Sequence, residues 1–181
     1  MTMKTTGILA CCISMGLLAA LAPTEARADG TSLHPGIGGH VGVAIPLVFL
    51  KSNTQTIGDQ FTLAYPIGIG FKITEKAAID FETVVANPIS PRGTTSFTVD
   101  PGIVYDTGSF VLGLRLGWDV NAATNFKVIP LIHKGVADIG AGASWFVEAA
   151  FPATLSFSKD IAGVNKTDGE LDIVFHTGIG F

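Results

Sequence analysis

From about residue 36 to residue 181 apolar side chains recur at every second position, with small or polar residues between them. A period of two over long runs belongs to β-strands whose two faces meet different surroundings. Eight such segments can be read. The first, about 36–50, sets Ile37, Val41, Val43, Ile45, Leu47 and Phe49 against Gly38, His40, Gly42 and Ala44. The second, about 60–73, sets Phe61, Leu63, Tyr65, Ile67, Ile69 and Phe71 against Thr62, Ala64, Pro66, Gly68 and Gly70. The third (about 76–86) opposes Ile79, Phe81 and Val85 to Asp80 and Glu82, and the fourth (about 94–106) opposes Phe97, Val99, Ile103 and Tyr105 to Thr98, Asp100 and Gly102. The fifth (about 109–120) has Leu112, Leu114, Leu116 and Trp118 facing away from Gly113, Arg115 and Asp119. The sixth, about 126–133, is the least regular, with Phe126, Val128 and Ile132 against Lys127 and His133. The seventh, about 143–157, sets Trp145, Val147, Phe151, Leu155 and Phe157 against Ser144, Glu148 and Thr154. The eighth is the closing stretch "LDIVFHTGIGF" at 171–181.

Short turns ("TEK", "DTGS") alternate with longer polar connections ("KSNTQTIGD", "NPISPRG", "SKDIAGVNKTDG"), which predicts an up-and-down antiparallel meander. The segment "KGVADIGAG" breaks this rule, being long where a short turn belongs. No helical period stands out after residue 28. Five prolines, Pro46, Pro66, Pro101, Pro130 and Pro152, fall inside the predicted strands, where a missing N–H calls for bulges or breaks.

The nature of the two faces decides the class. One is aliphatic in its middle and aromatic at its ends: Phe49, Phe61, Trp118, Phe126 and Phe157 at one end, Phe71, Tyr105, Phe110, Trp145 and Phe181 at the other. The second face is mostly Gly, Ala, Ser and Thr with a few charges and would solvate poorly. An aliphatic band between two aromatic girdles is what a barrel presents to lipid, and closure satisfies every backbone group there. The expectation is therefore an all-β, transmembrane, antiparallel up-and-down barrel of eight strands. The competing reading is a water-soluble barrel.

Composition agrees with that class. The chain is 48% hydrophobic and only 14% charged, where a soluble domain carries about a quarter charged residues. Residues 1–28 read as a secretory signal: Lys4, an apolar run from Ile8 to Ala22, then Ala26-Arg27-Ala28 as a cleavage site. A lipoprotein acylated at Cys11 or Cys12 is the alternative reading of that segment. Removing 1–28 leaves 29–181 as one domain, takes away both cysteines, and shifts the net charge from −4 to −5 through loss of Lys4, Glu25 and Arg27. No disulfide is then available, and no basic surface points to nucleic acid.

The pattern resembles the small eight-stranded outer-membrane barrels of Gram-negative bacteria, the OmpA and OmpX type. The resemblance implies an outer-membrane location, lipid around the barrel, a monomer and no cofactor. It also implies that Phe175, Ile179 and Phe181, with Ile173, are similar to the C-terminal signal read by the barrel-assembly machinery; Thr177 departs from that pattern. "GIGF" occurs at 68–71 as well as at 178–181.

Pleat parity turns His40, Asp80, Glu82, Asp100, Arg115, Glu148 and His176 into the interior at similar heights. A lumen of eight strands holds side chains and little else, so an ion-pair cluster around Arg115 is expected to fill it, the guanidinium fork being suited to carboxylates. His40 and His176, on strands that must be neighbours, would be the candidates for a metal, but histidines hydrogen-bonded within the cluster account for them. Lipid-modifying barrels form the enzymatic alternative. The deacylases among them carry a His-x-Ser pair, and here His176 is followed by Thr177 and Gly178. The expected function is thus non-enzymatic, structural or surface-interacting. A narrow pore for ions or very small solutes is second, and a lipid-modifying enzyme third. On the same parity Leu114 faces lipid, and serine in place of the lumenal Gly113 is expected to be mild.

Overall fold

The computed structural model describes residues 36–121, 125–159 and 165–181. The predicted signal at 1–28 lies outside the described residues, as does part of the last polar connection. The described chain forms β1 (Ile37–Leu50), β2 (Thr54–Thr56), β3 (Phe61–Lys72), β4 (Ala77–Ser90), β5 (Ser96–Asp106), β6 (Val111–Asp119), β7 (Asn125–Gly140), β8 (Ala143–Ala150), β9 (Ala153–Lys159) and β10 (Asn165–Gly180). All neighbouring pairs are antiparallel, and β1 pairs with β10, from His40↔Gly180 to Leu50↔Leu171, which closes the sheet. The strands β8 and β9 lie end to end between β7 and β10, with Leu131↔Ala150 and Val128↔Ala153 keeping one register along β7. They make a single stave, and β2 is a short flap on the top of β1. The result is a closed barrel of eight staves.

The irregular sixth segment resolves here. The structure extends it from 126–133 to Asn125–Gly140, so "KGVADIG" is strand, and the turn is only Ala141-Gly142. Both turn residues take positive φ, 54° and 79°, the two-residue geometry whose twist matches a hairpin. Lys134–Gly140 carries register shifts against β8 at Gly135/Ala137 and Asp138/Gly140, and these shifts hid its alternation. Turns 73–76, 107–110 and 141–142 therefore share one end of the barrel, here called lower.

The in-strand prolines behave in two ways. A bulge separates Pro46 from Val48, and Pro152 interrupts the stave between β8 and β9. The ladder keeps its register past Pro66, Pro101 and Pro130, contrary to the expectation of a bulge or break at each. The bulge at Leu47 also overturns the assignment of Phe49. The extra residue reverses the pleat, so Phe49 is turned inward and buried while Leu50 is exposed.

Outside, the apolar face continues from stave to stave. Val41, Ile67, Phe81, Ile103, Leu114, Ile132, Trp145 and Ile179 are each about 40% exposed or more. Inside, the same strands bury Thr62, Asp80, Glu82, Thr98, Asp100, Arg115, Ser144, Glu148 and His176 together with Ile129, Leu131 and Phe146. Polar residues are the buried ones and large apolar residues the exposed ones, the inverse of a water-soluble core.

Phe181 is paired and placed. Its N–H donates to the Gly39 carbonyl at 2.9 Å and its carbonyl accepts from the Gly39 N–H at 2.7 Å. Its ring lies so close over Gly39 that a Cβ there would meet it at 2.9 Å. Phe71 lies opposite Ile37 on the other neighbour of β1, so the two "GIGF" copies flank the lower end of one strand. Thr177, the departure from the terminal pattern, accepts a hydrogen bond from the Trp145 indole at 2.7 Å and donates to the Phe146 carbonyl at 2.8 Å. An outward indole N–H is thereby satisfied without water.

Candidate functional site

Arg115 enters the lumen from β6 at mid-height. Gly102, its partner on β5, makes room: a Cβ there would meet Arg115 Cγ at 2.6 Å. The guanidinium then reaches two staves away in both directions. Its Nε donates to Asp80 Oδ2 on β4 at 2.6 Å. Its Nη1 donates to Glu82 Oε1 on β4 at 3.1 Å and to Glu148 Oε1 on β8 at 3.3 Å. Arg115, Asp80, Glu82 and Glu148 are all at most 5% exposed. One fixed fork thus ties three buried carboxylates together across the barrel, the geometry at which guanidinium outperforms an ammonium.

The histidines complete the carboxylates. His40 on β1 lies flat against Gly68 of β3, which has no side chain to obstruct it, and its Nε2 is 2.6 Å from Glu82 Oε2. His176 on β10 sets Nδ1 3.2 Å from Glu148 Oε1. His133 on β7 sets Nδ1 3.4 Å from Glu148 Oε2. Glu148 is the ladder partner of both His133 and His176, so its two oxygens are shared between the neighbouring staves and Arg115. Asp100 on β5 is 2% exposed, and its Oδ1 has no hydrogen-bond partner.

All seven residues singled out from the sequence project into the lumen, and six of them are joined by direct contacts. Asp100 is the seventh, buried beside the group with its Oδ1 unpartnered. Two contributors were not singled out, His133 and Phe146. Phe146 is 1% exposed and sits one pleat below Glu148, with the rings of His133, His176 and His40 around it at centroid distances of 4.6, 4.9 and 5.9 Å. The signal for Phe146 was its parity with Ser144 and Glu148, obscured because a large aromatic in this chain otherwise marks the outer face. His133 lay on the irregular sixth segment.

A second polar group lies higher. Lys127 Nζ donates to Asp119 Oδ1 at 2.8 Å and to Thr98 Oγ1 at 3.0 Å, and Thr98 and Asn125 both donate to Asp119. At the loop end Lys51 pairs with Glu170 at 2.6 Å. Among the described residues no group of three or more His, Cys, Asp and Glu has the arrangement of a metal site.

Gly113 is not the tolerant position the sequence indicated. A Cβ there would meet the side chain of Leu131 at 2.7 Å, and Leu131 is 2% exposed and part of the small apolar core with Ile129 and Ala150. An inward position with room is Gly70, where the nearest atom to an added Cβ is 3.8 Å away.

No known protein family, curated protein or solved structure matches this chain.

Proposed function

We propose that this protein is a monomeric, non-enzymatic outer-membrane β-barrel of the small eight-stranded type, with a structural or surface-interaction role and a lumen closed at mid-height by the Arg115 cluster. The observation that carries the reading is the inverted distribution of side chains on a closed barrel. Every stave turns large apolar residues outward, and the ionic groups pair inside. A soluble monomer rarely exposes a contiguous apolar patch of more than a few hundred Å², and lipid is the solvent that rewards this arrangement. Tyr105, Phe110, Phe71 and Trp145 near the lower strand ends, with Trp118, Phe126 and Phe157 near the upper ones, are all exposed and would sit at the two interfaces.

The lumenal cluster favours a plug over a conduit. Apart from Asp100 Oδ1 and His176 Nε2, which are buried without a partner, its histidines, carboxylates and guanidinium are engaged with one another. Purified protein in a planar bilayer should show no steady channel. Regular single-channel steps would replace the closed-lumen reading with the narrow-pore one.

The outward row of half-buried Phe175, exposed Ile179 and half-buried Phe181 is proposed as the strand surface recognised by the barrel-assembly machinery. Phe181→Ala should lower the amount of assembled barrel in cells several-fold while purified chain still folds in detergent. Unchanged assembly in cells would remove that role.

A further inference from the structure

Above the Arg115 cluster the lumen widens into a cavity of about 260 Å³. Its floor is formed by Arg115, Glu82, Glu148, His176 and Asp100, and its lining rises to Gln60 and Ser96 at the upper strand ends. Four prolines from different staves line it: Pro46, Pro66, Pro88 and Pro152. These residues are awkward in a ladder because they lack an N–H. On a cavity wall the same property is useful, since a fixed pyrrolidine ring gives a rigid apolar surface with no rotamer to freeze on binding. Small side chains such as Ala44, Ala86 and Ala150 keep the space open between them.

The polar groups facing this space are unevenly satisfied. Lys127 is held by Asp119 and Thr98, and Arg115 by its three carboxylates. Two carboxylates on the lining are not: Asp100 Oδ1 and Asp172 Oδ1 are buried without a partner. A buried acceptor left unpaired is costly, more so when charged, so such a group in a preformed cavity marks a place for a donor. The cavity lining carries four carboxylates, Glu82, Asp100, Glu148 and Asp172, against two permanent cations, Arg115 and Lys127, and that local balance favours a cation.

We propose that the upper lumen is a binding cup for a small organic ammonium compound with an apolar body, its cationic head on Asp100, assisted by Asp172, and its body against the proline walls. The size of the cavity limits the ligand to a small molecule, and the cluster beneath makes the cup blind. The proposal goes beyond the structural role and does not depend on lipid surrounding the barrel, so it is tested on detergent-folded protein.

The experiment is calorimetric or ligand-observed NMR titration with benzylammonium, beside benzyl alcohol and benzoate as neutral and anionic counterparts of similar shape. Benzylammonium should bind saturably at one site per barrel, with the other two at least tenfold weaker. Asp100→Asn should weaken benzylammonium tenfold or more, and Asp172→Asn by less. Glu75→Gln, in an exposed lower turn, should change nothing. Ala86→Phe puts bulk into the cup from a lining position that carries no charge and should abolish binding, which keeps the test decisive if Asp100→Asn folds poorly. Absence of saturable benzylammonium binding, equal binding of benzyl alcohol, or binding that survives Ala86→Phe would each overturn the proposal.

Discussion

Arg115→Ala should destabilise the folded barrel by about 3–5 kcal/mol in urea unfolding from lipid vesicles, the cost of breaking a buried ion pair from one side. The side chain is 3% exposed, and its loss leaves Asp80, Glu82 and Glu148 facing one another without the cation that holds them. Among the described residues His40 stays on Glu82, and His133 and His176 stay on Glu148. Arg115→Lys should recover part of the loss. An ammonium on a flexible stem supplies charge but cannot hold Asp80 through one nitrogen while bridging Glu82 and Glu148 through another. A midpoint in Arg115→Ala equal to wild type would mean that the cluster contributes nothing to stability.

Leu114→Arg should impair folding into lipid vesicles by about 2–4 kcal/mol, the cost of a charge on a lipid face near mid-bilayer. Leu114 is 46% exposed and lies opposite Ile103 in the ladder, within the aliphatic band. Gly70→Ser, an inward change with space around it, should fold like wild type in the same vesicles. Unimpaired folding of Leu114→Arg would show that this face does not contact lipid.

The period of two was enough to read the closed barrel, because pleat parity is a local property that survives in any regular strand. It put Arg115 and its carboxylates on one face, and their similar heights followed from counting along strands that keep register. It failed where the ladder is irregular. The extra residue at Leu47 reversed the pleat, so Phe49 changed faces and became part of the cup wall. The shifts at Gly135 and Asp138 concealed half of β7, and with it the position of His133 against Glu148. Which residues face each other on neighbouring staves was not legible. That Leu131 of β7 packs over Gly113 of β6, or that Gly68 of β3 receives His40 of β1, depends on the register between strands, which no single strand's pattern contains. Pro46, Pro66 and Pro152 were visible from the outset as exceptions to strand chemistry, whereas Pro88 fell in an expected connection that the structure makes the end of β4. That these four share one cavity emerges only when β1, β3, β4 and the β8–β9 stave are brought together.

The outward apolar face is proposed to meet lipid. Density-gradient fractionation of cells producing the native protein, with each fraction run on a denaturing gel with and without heating, tests this most directly. The protein is expected with the outer membrane, released only by detergent, and migrating faster unheated because the closed barrel stays folded in the gel. Recovery as a soluble protein without detergent, with one mobility before and after heating, would contradict it.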